Sequence, residues 1–380
     1  MDLSLSSEQE AIRGTVRELM EGQVRRRAAE IDAREEFPQD VLELFRKQGL
    51  FATVVPPEYG GLDGSLVTLC LVCEEITRVC ANSGMILGNQ FLGVGPLLLF
   101  GDEEQKRRYL PRLGTGELLC SFGLSEPGAG SDAASLQTRA VPDGSGWRLE
   151  GRKNFITQAN LADLLTVFAR TGEGVSAFLL DRTESPWVVE KVEHKMGLRG
   201  SPTCSVLLEH TPVPGSALIG EVGSGMRIAL TCHNKGRIMT AALALGIAQG
   251  ALELMLDYSR DRVQFGRPIS EFQAIQFMLA DTETELQAAR ALVNAAAWHY
   301  DTAAADIVRF SAMAKLFTTD MVNIATSRTV QALGGYGYIR DYAAERMMRD
   351  ARIFAIFEGT NEIQRLVVAR QLLRERDGGC

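Results

Sequence analysis

Apolar residues recur at helical intervals over the first third of the chain. Ile12, Val16, Leu19 and Met20 predict an amphipathic helix. Ser7, with Glu10 three residues on, predicts its start, a capping hydroxyl and a returning carboxylate satisfying two orphan amides. A second helix is predicted from Pro38 through Val41, Leu44 and Phe45 to Gly49, with proline suited to the first turn and glycine to the end. Two more are expected at about 66–80 and 103–113, and 85–100 reads as a core helix plus a turn. From Cys120 to about Val222 the period shortens and turn residues multiply, so 147–150, 164–168, 175–180, 187–192 and 204–208 read as short strands. Beyond Met226 the chain returns to long alanine-rich helices, at 238–258, 272–300 and 304–332, whose apolar stripes would pack as a bundle. The expectation is a mainly α protein with a central β domain: 1–120 helical, 121–225 β, 226–380 a helical bundle.

Composition narrows the class. A chain of 380 residues suits two or three domains, and 46% hydrophobic with 23% charged residues is ordinary for a folded globular protein. Forty basic against forty-eight acidic residues give a net charge of −8, the wrong balance for a nucleic-acid surface. The 85–100 stretch carries Asn89, Gln90, Pro96 and three glycines, and reads as too short for a membrane span. Met1–Ser4 opens on an acid with no cationic region, so no export signal is expected and a cytoplasmic location is the default. The seven scattered cysteines read as reduced thiols, and the Cys70/Cys73 pair, although spaced like zinc ligands, as buried helix cysteines.

Three segments rich in glycine and hydroxyls stand out as turns: 122–132, 331–338 and 357–362. Glycines let a backbone approach a ligand, and successive amides can cradle a phosphate, yet each segment alone is compatible with a plain loop. Neither the Rossmann fingerprint nor a P-loop occurs, and the four histidines are too dispersed to suggest a metal cluster.

The segment Phe122-Gly-Leu-Ser-Glu-Pro-Gly-Ala-Gly-Ser-Asp132 resembles the acyl-CoA dehydrogenase signature. Arg262-Val-Gln-Phe265-Gly266, Gln331 to Gly335, and Glu358-Gly-Thr-Asn-Glu-Ile-Gln-Arg365 resemble that family's C-terminal motifs, in family order over essentially the whole chain. The resemblance implies an N-terminal helical domain, a middle β-barrel-like domain and a C-terminal four-helix bundle. It also implies a noncovalent FAD flavoenzyme converting an acyl-CoA thioester to the trans-2-enoyl-CoA. Electrons would pass to an electron-transfer flavoprotein, and the assembly would be a homotetramer or dimer of dimers.

The α C–H is weakly acidic, so a carboxylate must take that proton while the flavin accepts the β hydrogen as hydride. Resemblance assigns the base to Glu358, with a pKa raised when acyl binding excludes water, and the thioester oxygen to its backbone amide and a flavin hydroxyl. Some relatives carry the base where Gly236 stands, beside Arg237. For FAD it implies Phe122, Leu124, Ser125, Phe155 and Thr157 along the ring. Arg262, Phe265, Gln273, Gln331, Gly334 and Gly335 would come from a neighbouring subunit, and Thr360 and Glu362 would lie on the adenine side. Gly130 and Ser131 match a loop that touches the bound ligands, and Asn234, Arg237 and Gly359 match substrate contacts. Phe155 replaces a frequent tryptophan, Asn234 an aspartate and Phe357 a tyrosine, and His233 reads as a packing or surface residue. The resemblance implies a short, medium or branched acyl chain, with short or branched members the nearest. A carrier-linked, dicarboxylic or cyclic acyl group, or a non-catalytic binding relative, stays open.

Overall fold

The computed structural model describes residues 5–62 and 64–376. Met1–Ser4 and Cys380, on which the export-signal and C-terminal thiol expectations rest, lie outside the described residues.

The N-terminal part holds α1 (Ser7–Leu19), α2 (Ala28–Arg34), α3 (Gln39–Lys47), α4 (Leu66–Val79), α5 (Ala81–Phe100) and α6 (Glu103–Gly114). The first cap sits one residue earlier than the sequence suggests. Ser6 Oγ accepts from the Gln9 N–H at 3.1 Å, and Gln9 Oε1 accepts from the Ser6 N–H at 3.0 Å. An amide side chain closes the box as well as a carboxylate does, and Ser7 is already helical. The 85–100 stretch also needs correction: it belongs to one unbroken helix of 20 residues that starts at Ala81 and runs through Pro96. By length and composition α5 and α7 (Gly225–Asp261) could each cross a membrane. Their most apolar windows are 72% and 83% buried inside the protein, as in core helices.

Eight strands follow α6: β1 (Cys120–Gly123), β2 (Arg139–Asp143), β3 (Gly146–Thr157), β4 (Leu164–Thr171), β5 (Gly174–Asp181), β6 (Val188–Val192), β7 (Thr203–Val213) and β8 (Leu218–Ile219). Their order is β6-β7-β3-β2-β4-β5-β8, with β1 laid parallel on β4 so that Phe122 pairs with Thr166. Inward residues such as Leu149, Val167, Phe178 and Val206 form a separate β core. Irregular pairing of β3 with β7 between Lys153 and Ile156 accompanies a left-handed Phe155 (φ 60°), a bulge that re-aims its ring outward.

After α7 come a short ribbon, β9 (Val263–Gln264) and β10 (Arg267–Pro268), then α8 (Gln273–Asp301), α9 (Ile307–Leu333), α10 (Gly335–Tyr338), α11 (Ala344–Ala351) and α12 (Asn361–Arg376). Gln331 therefore lies in the last turn of α9, within the helix expected over 304–332, the chain breaks at Gly334, and Gly335 begins a further short helix where the sequence suggests a turn. Ser311 Oγ meets Asn234 at one end of α9, and Thr329 Oγ1 donates to the Ala251 carbonyl towards the other. The two contacts advance together, so α7 and α9 run in the same direction, with α8 returning between them. On the opposite side α4 crosses α7 closely, Thr77 Oγ1 donating to the Leu243 carbonyl at 2.7 Å.

Candidate active site

Glu358 stands in the bend before α12, its backbone left-handed (φ 54°) and followed by Gly359 (φ 83°). The bend is held from α9. Buried Lys315 donates from Nζ to the Gly359 carbonyl and to Asn361 Oδ1, both at 2.8 Å. Gln364 Nε2 donates to the Gly359 carbonyl as well, at 2.9 Å, and Thr360 Oγ1 accepts from the Ile363 N–H. Two helices thus grip one unusual backbone conformation, which is what a strained bend requires to persist. The Glu358 N–H donates to no group among the described residues.

The Glu358 side chain reaches a cavity of about 60 Å³ between α5 and α7. Met85, Leu92 and Leu99 line one wall, Cys232, Gly236 and Met239 the other, with Thr157 of β3 and Phe357 at the edge. Gly84 and Gly88 bring α5 against Leu243: ideal Cβ atoms there would lie 3.0 and 3.1 Å from its methyl carbons. This packing limits the space between α5 and α7 on that side of the cavity.

His233 is not the packing or surface histidine that the sequence suggests. Its Nδ1 lies 2.9 Å from Glu358 Oε2, and both side chains are only 17% exposed. The partner is 125 residues away in the chain, so no local pattern announces the contact. Burial pushes the Glu358 carboxyl up, but the His233 hydrogen bond and the charges of His233, Arg237 and Lys315 outweigh it. The net effect holds the carboxyl below its ordinary range. Burial pushes the Lys315 ammonium down, to about 8. Arg237 is buried, with Nε unpartnered and one terminal nitrogen 3.4 Å from Asn234 Oδ1.

A second group of the residues singled out lies on the β domain beside this cavity. Phe122 touches both sides, its ring 5.6 Å from His233 and 5.0 Å from Phe168. Ser125 accepts through its carbonyl from the Asn154 N–H, which ties the loop after β1 to β3 just before Phe155 and Thr157. Beneath Leu124 lies a pair that sequence reading passes over. Fully buried Lys153 donates to the Leu124 carbonyl at 3.2 Å and to Glu126 Oε1 at 2.8 Å. Glu126 in turn accepts from the Gln137 and Thr138 amides. Gly130 and Ser131 follow on this loop, with open space where a Cβ of Gly130 would stand.

A third group is remote from Glu358 within one chain. Arg262 caps the far end of α7, 25 residues from Arg237, which is about 38 Å of helix. Its guanidinium lies 5.5 Å from the Tyr336 ring centre, which joins it to the Gln331, Gly334 and Gly335 turn. Phe265 is 93% exposed beside Phe272 and the start of α8 at Gln273. A Cβ at Gly266, Gly334 or Gly335 would meet nothing within 4 Å. An outward Phe155 (64% exposed), an open Phe265, the Arg262 guanidinium and bare glycine backbone fit a large planar cofactor carrying phosphates.

The chain matches the models of the acyl-CoA dehydrogenase N-terminal domain over 6–117, middle domain over 121–211 and C-terminal domain over 223–373. A probable acyl-CoA dehydrogenase of Mycobacterium tuberculosis is 41% identical, covering 97% of this chain and 96% of that one. Cyclohexane-1-carbonyl-CoA dehydrogenase of Geobacter metallireducens is 42% identical over 97% and 98%. Among solved structures, butyryl-CoA dehydrogenase of Megasphaera elsdenii superposes with a TM-score of 0.96 at 35% identity, covering 98% of this chain and all of that one. An acyl-CoA dehydrogenase of Bacillus anthracis complexed with FAD gives 0.94 at 33% identity, covering 99% and 68%.

Proposed function

The chain belongs to the acyl-CoA dehydrogenase family, and from that premise we propose that it removes the α and β hydrogens of a short or branched acyl-CoA thioester, with Glu358 as the base. The observation that carries the reading is the Glu358 carboxyl, set at the wall of a largely apolar cavity and held below its ordinary range, against its burial, by the His233 hydrogen bond and nearby positive charge. An ionised carboxylate is ready to accept a proton. An acyl chain entering the cavity displaces water and weakens that stabilisation, raising the basicity of Glu358 when substrate is in place. The unused Glu358 N–H is available to the thioester oxygen, where charge develops as the α proton leaves.

FAD, when bound, supplies the acceptor for the β hydrogen. Phe122, Leu124, Ser125, Phe155 and Thr157 form its wall in this reading, and Thr360 and Glu362 its adenine side. Arg262, Phe265, Gln273, Gln331, Gly334 and Gly335 are too far from Glu358 to serve the same site in one chain. They serve the site of a neighbouring copy, so the working form is an oligomer, read as a homotetramer. Gly130, Ser131, Asn234, Arg237 and Gly359 are assigned to the thioester ligand. Electrons leave to an electron-transfer flavoprotein, and the location is cytoplasmic. A cyclic acyl group is the second reading, favoured by a 42% identical relative named for a cyclic acyl-CoA.

The test is an anaerobic titration of the FAD-loaded protein with short, branched, medium, cyclic and dicarboxylic acyl-CoA esters, following the oxidised flavin absorbance. Bleaching by one class names the substrate. Glu358→Gln is expected to retain flavin and bind ester, yet lose bleaching by about 10²–10⁴-fold or more. Near-normal bleaching in that variant removes Glu358 as base.

A further inference from the structure

Among the described residues His233 alone hydrogen-bonds the Glu358 carboxylate, and it does so at one oxygen of two. Oε2 faces α7 and is enclosed there. His233 Nδ1 lies 2.9 Å from it, and a Cβ on Gly236, one helical turn along, would lie at the same 2.9 Å. Oε1 has no hydrogen-bond partner among the described residues. An ionised carboxylate only accepts, so Nδ1 carries the proton of this contact. The imidazole is itself fixed, its ring meeting Phe122 edge-on at 5.6 Å and 67°.

We propose that His233 is a positioning residue for the base: its Nδ1–H holds Glu358 Oε2 against α7 and so presents Oε1 to the substrate's α C–H. The inference rests on the dehydrogenase reading of the site. In the step it serves, the α C–H bond breaks, its proton goes to Oε1 and its electron pair stays on the thioester. Oε2 remains an acceptor throughout, so the clamp need not release while the proton moves. A carboxylate free to rotate would divide its time between orientations, and reacting groups lose rate steeply with small misplacement.

The same contact sets when the base is ionised. The titratable groups facing Glu358 are His233 and Arg237 from α7 and Lys315 from α9. Lys235 and Cys232, its thiol pushed up by burial, line the same cavity, while β1 and α5 present uncharged Phe122 and Leu92. Removing His233 leaves the burial of the carboxyl less opposed, so Glu358 should take up its proton at a higher pH.

Two variants test this in the full-length, FAD-loaded protein. H233F keeps an aromatic ring against Phe122 and removes the donor, and H233N places an uncharged amide donor near Nδ1. The first readout is infrared: the protonated-carboxyl band that Glu358→Gln deletes should appear at higher pH in H233F than in wild type, with H233N between. The second is the acid limb of flavin reduction by an ester that wild type oxidises. It should move to higher pH in H233F, with a loss of roughly tenfold at the low end, the scale of one hydrogen bond to a charged group. A band and limb that stay in place in both variants overturn the clamp, whatever happens to the overall rate. A shifted band in a protein whose flavin no acyl-CoA ester reduces sinks the dehydrogenase reading and leaves the clamp standing.

Discussion

Gly236 and Glu358 are in van der Waals register: a Cβ built on Gly236 would stand 2.9 Å from Glu358 Oε2. Helix interiors disfavour glycine by about 1 kcal/mol relative to alanine, so its presence midway through α7 marks a close approach. Gly236→Ala should gain helix propensity while pushing the carboxylate off its position. The expected result is a normal or slightly raised melting temperature with substrate-driven flavin reduction slowed by up to about 10²-fold. Stopped-flow bleaching alongside a thermal melt checks both halves. Unchanged reduction would show that the carboxylate tolerates displacement.

Lys153 and Glu126 make a buried ion pair under the loop that follows β1, so removing one partner strands the other. Lys153→Met should destabilise by about 3–5 kcal/mol, because the uncompensated Glu126 carboxylate stays buried. The Leu124 carbonyl loses its donor in the same variant, so flavin retention on gel filtration should fall as well. Replacing both residues with apolar ones of similar size should recover much of the stability. A Lys153→Met protein with wild-type melting would mean the pair contributes little.

The alternation of helical and strand periods announces the order of helices, sheet and helices, since each period reflects which face is buried. Local ambiguity explains the near misses. Two adjacent serines and a Gln/Glu choice displace the first cap by one residue, and Pro96 suggests a break where neighbouring helices keep α5 intact. The turn at Glu358 is legible from its motif. His233, Lys315, Lys153 and Glu126 are not, because each acts through a partner 27 to 125 residues away. A charged residue in isolation also reads as surface, and only the folded chain reveals that these are buried against one another.

Asp350 gives stability a pH dependence of defined sign. Burial pushes its carboxyl up to about 7 even though it accepts from the Leu198 N–H at 2.6 Å. An acid whose folded pKa is raised binds its proton more tightly in the native state. The stability this supplies is complete below the ordinary carboxylate range and is lost as pH rises to about 7. The span corresponds to at most about 4 kcal/mol. Asp350→Asn can still accept from Leu198 and has no charge to bury. Its melting temperature should therefore decline less than that of wild type between pH 4 and 8. Parallel curves would place the titration elsewhere.

Leu243 and Glu358 line the same cavity, about two helical turns of α7 separating Leu243 from Gly236 beside the carboxylate, with the glycines of α5 packed on the Leu243 methyl groups. If the acyl chain runs along this cavity, the side chain at 243 limits its length. Leu243→Ala removes three carbons from a buried position, a change that costs about 2–5 kcal/mol of stability through the space it leaves. The same space is room for methylenes of a longer substrate. Each methylene newly buried is worth about 1–3 kcal/mol in discrimination, so kcat/KM for octanoyl-CoA relative to butyryl-CoA should rise by about tenfold or more. The base, the clamp at His233 and the bend held by Lys315 lie away from this position, so turnover of the short ester should survive wherever the fold does. A variant that melts lower with an unchanged chain-length profile would show that the acyl chain lies elsewhere, while a shifted profile would identify Leu243 as the residue that sets substrate size.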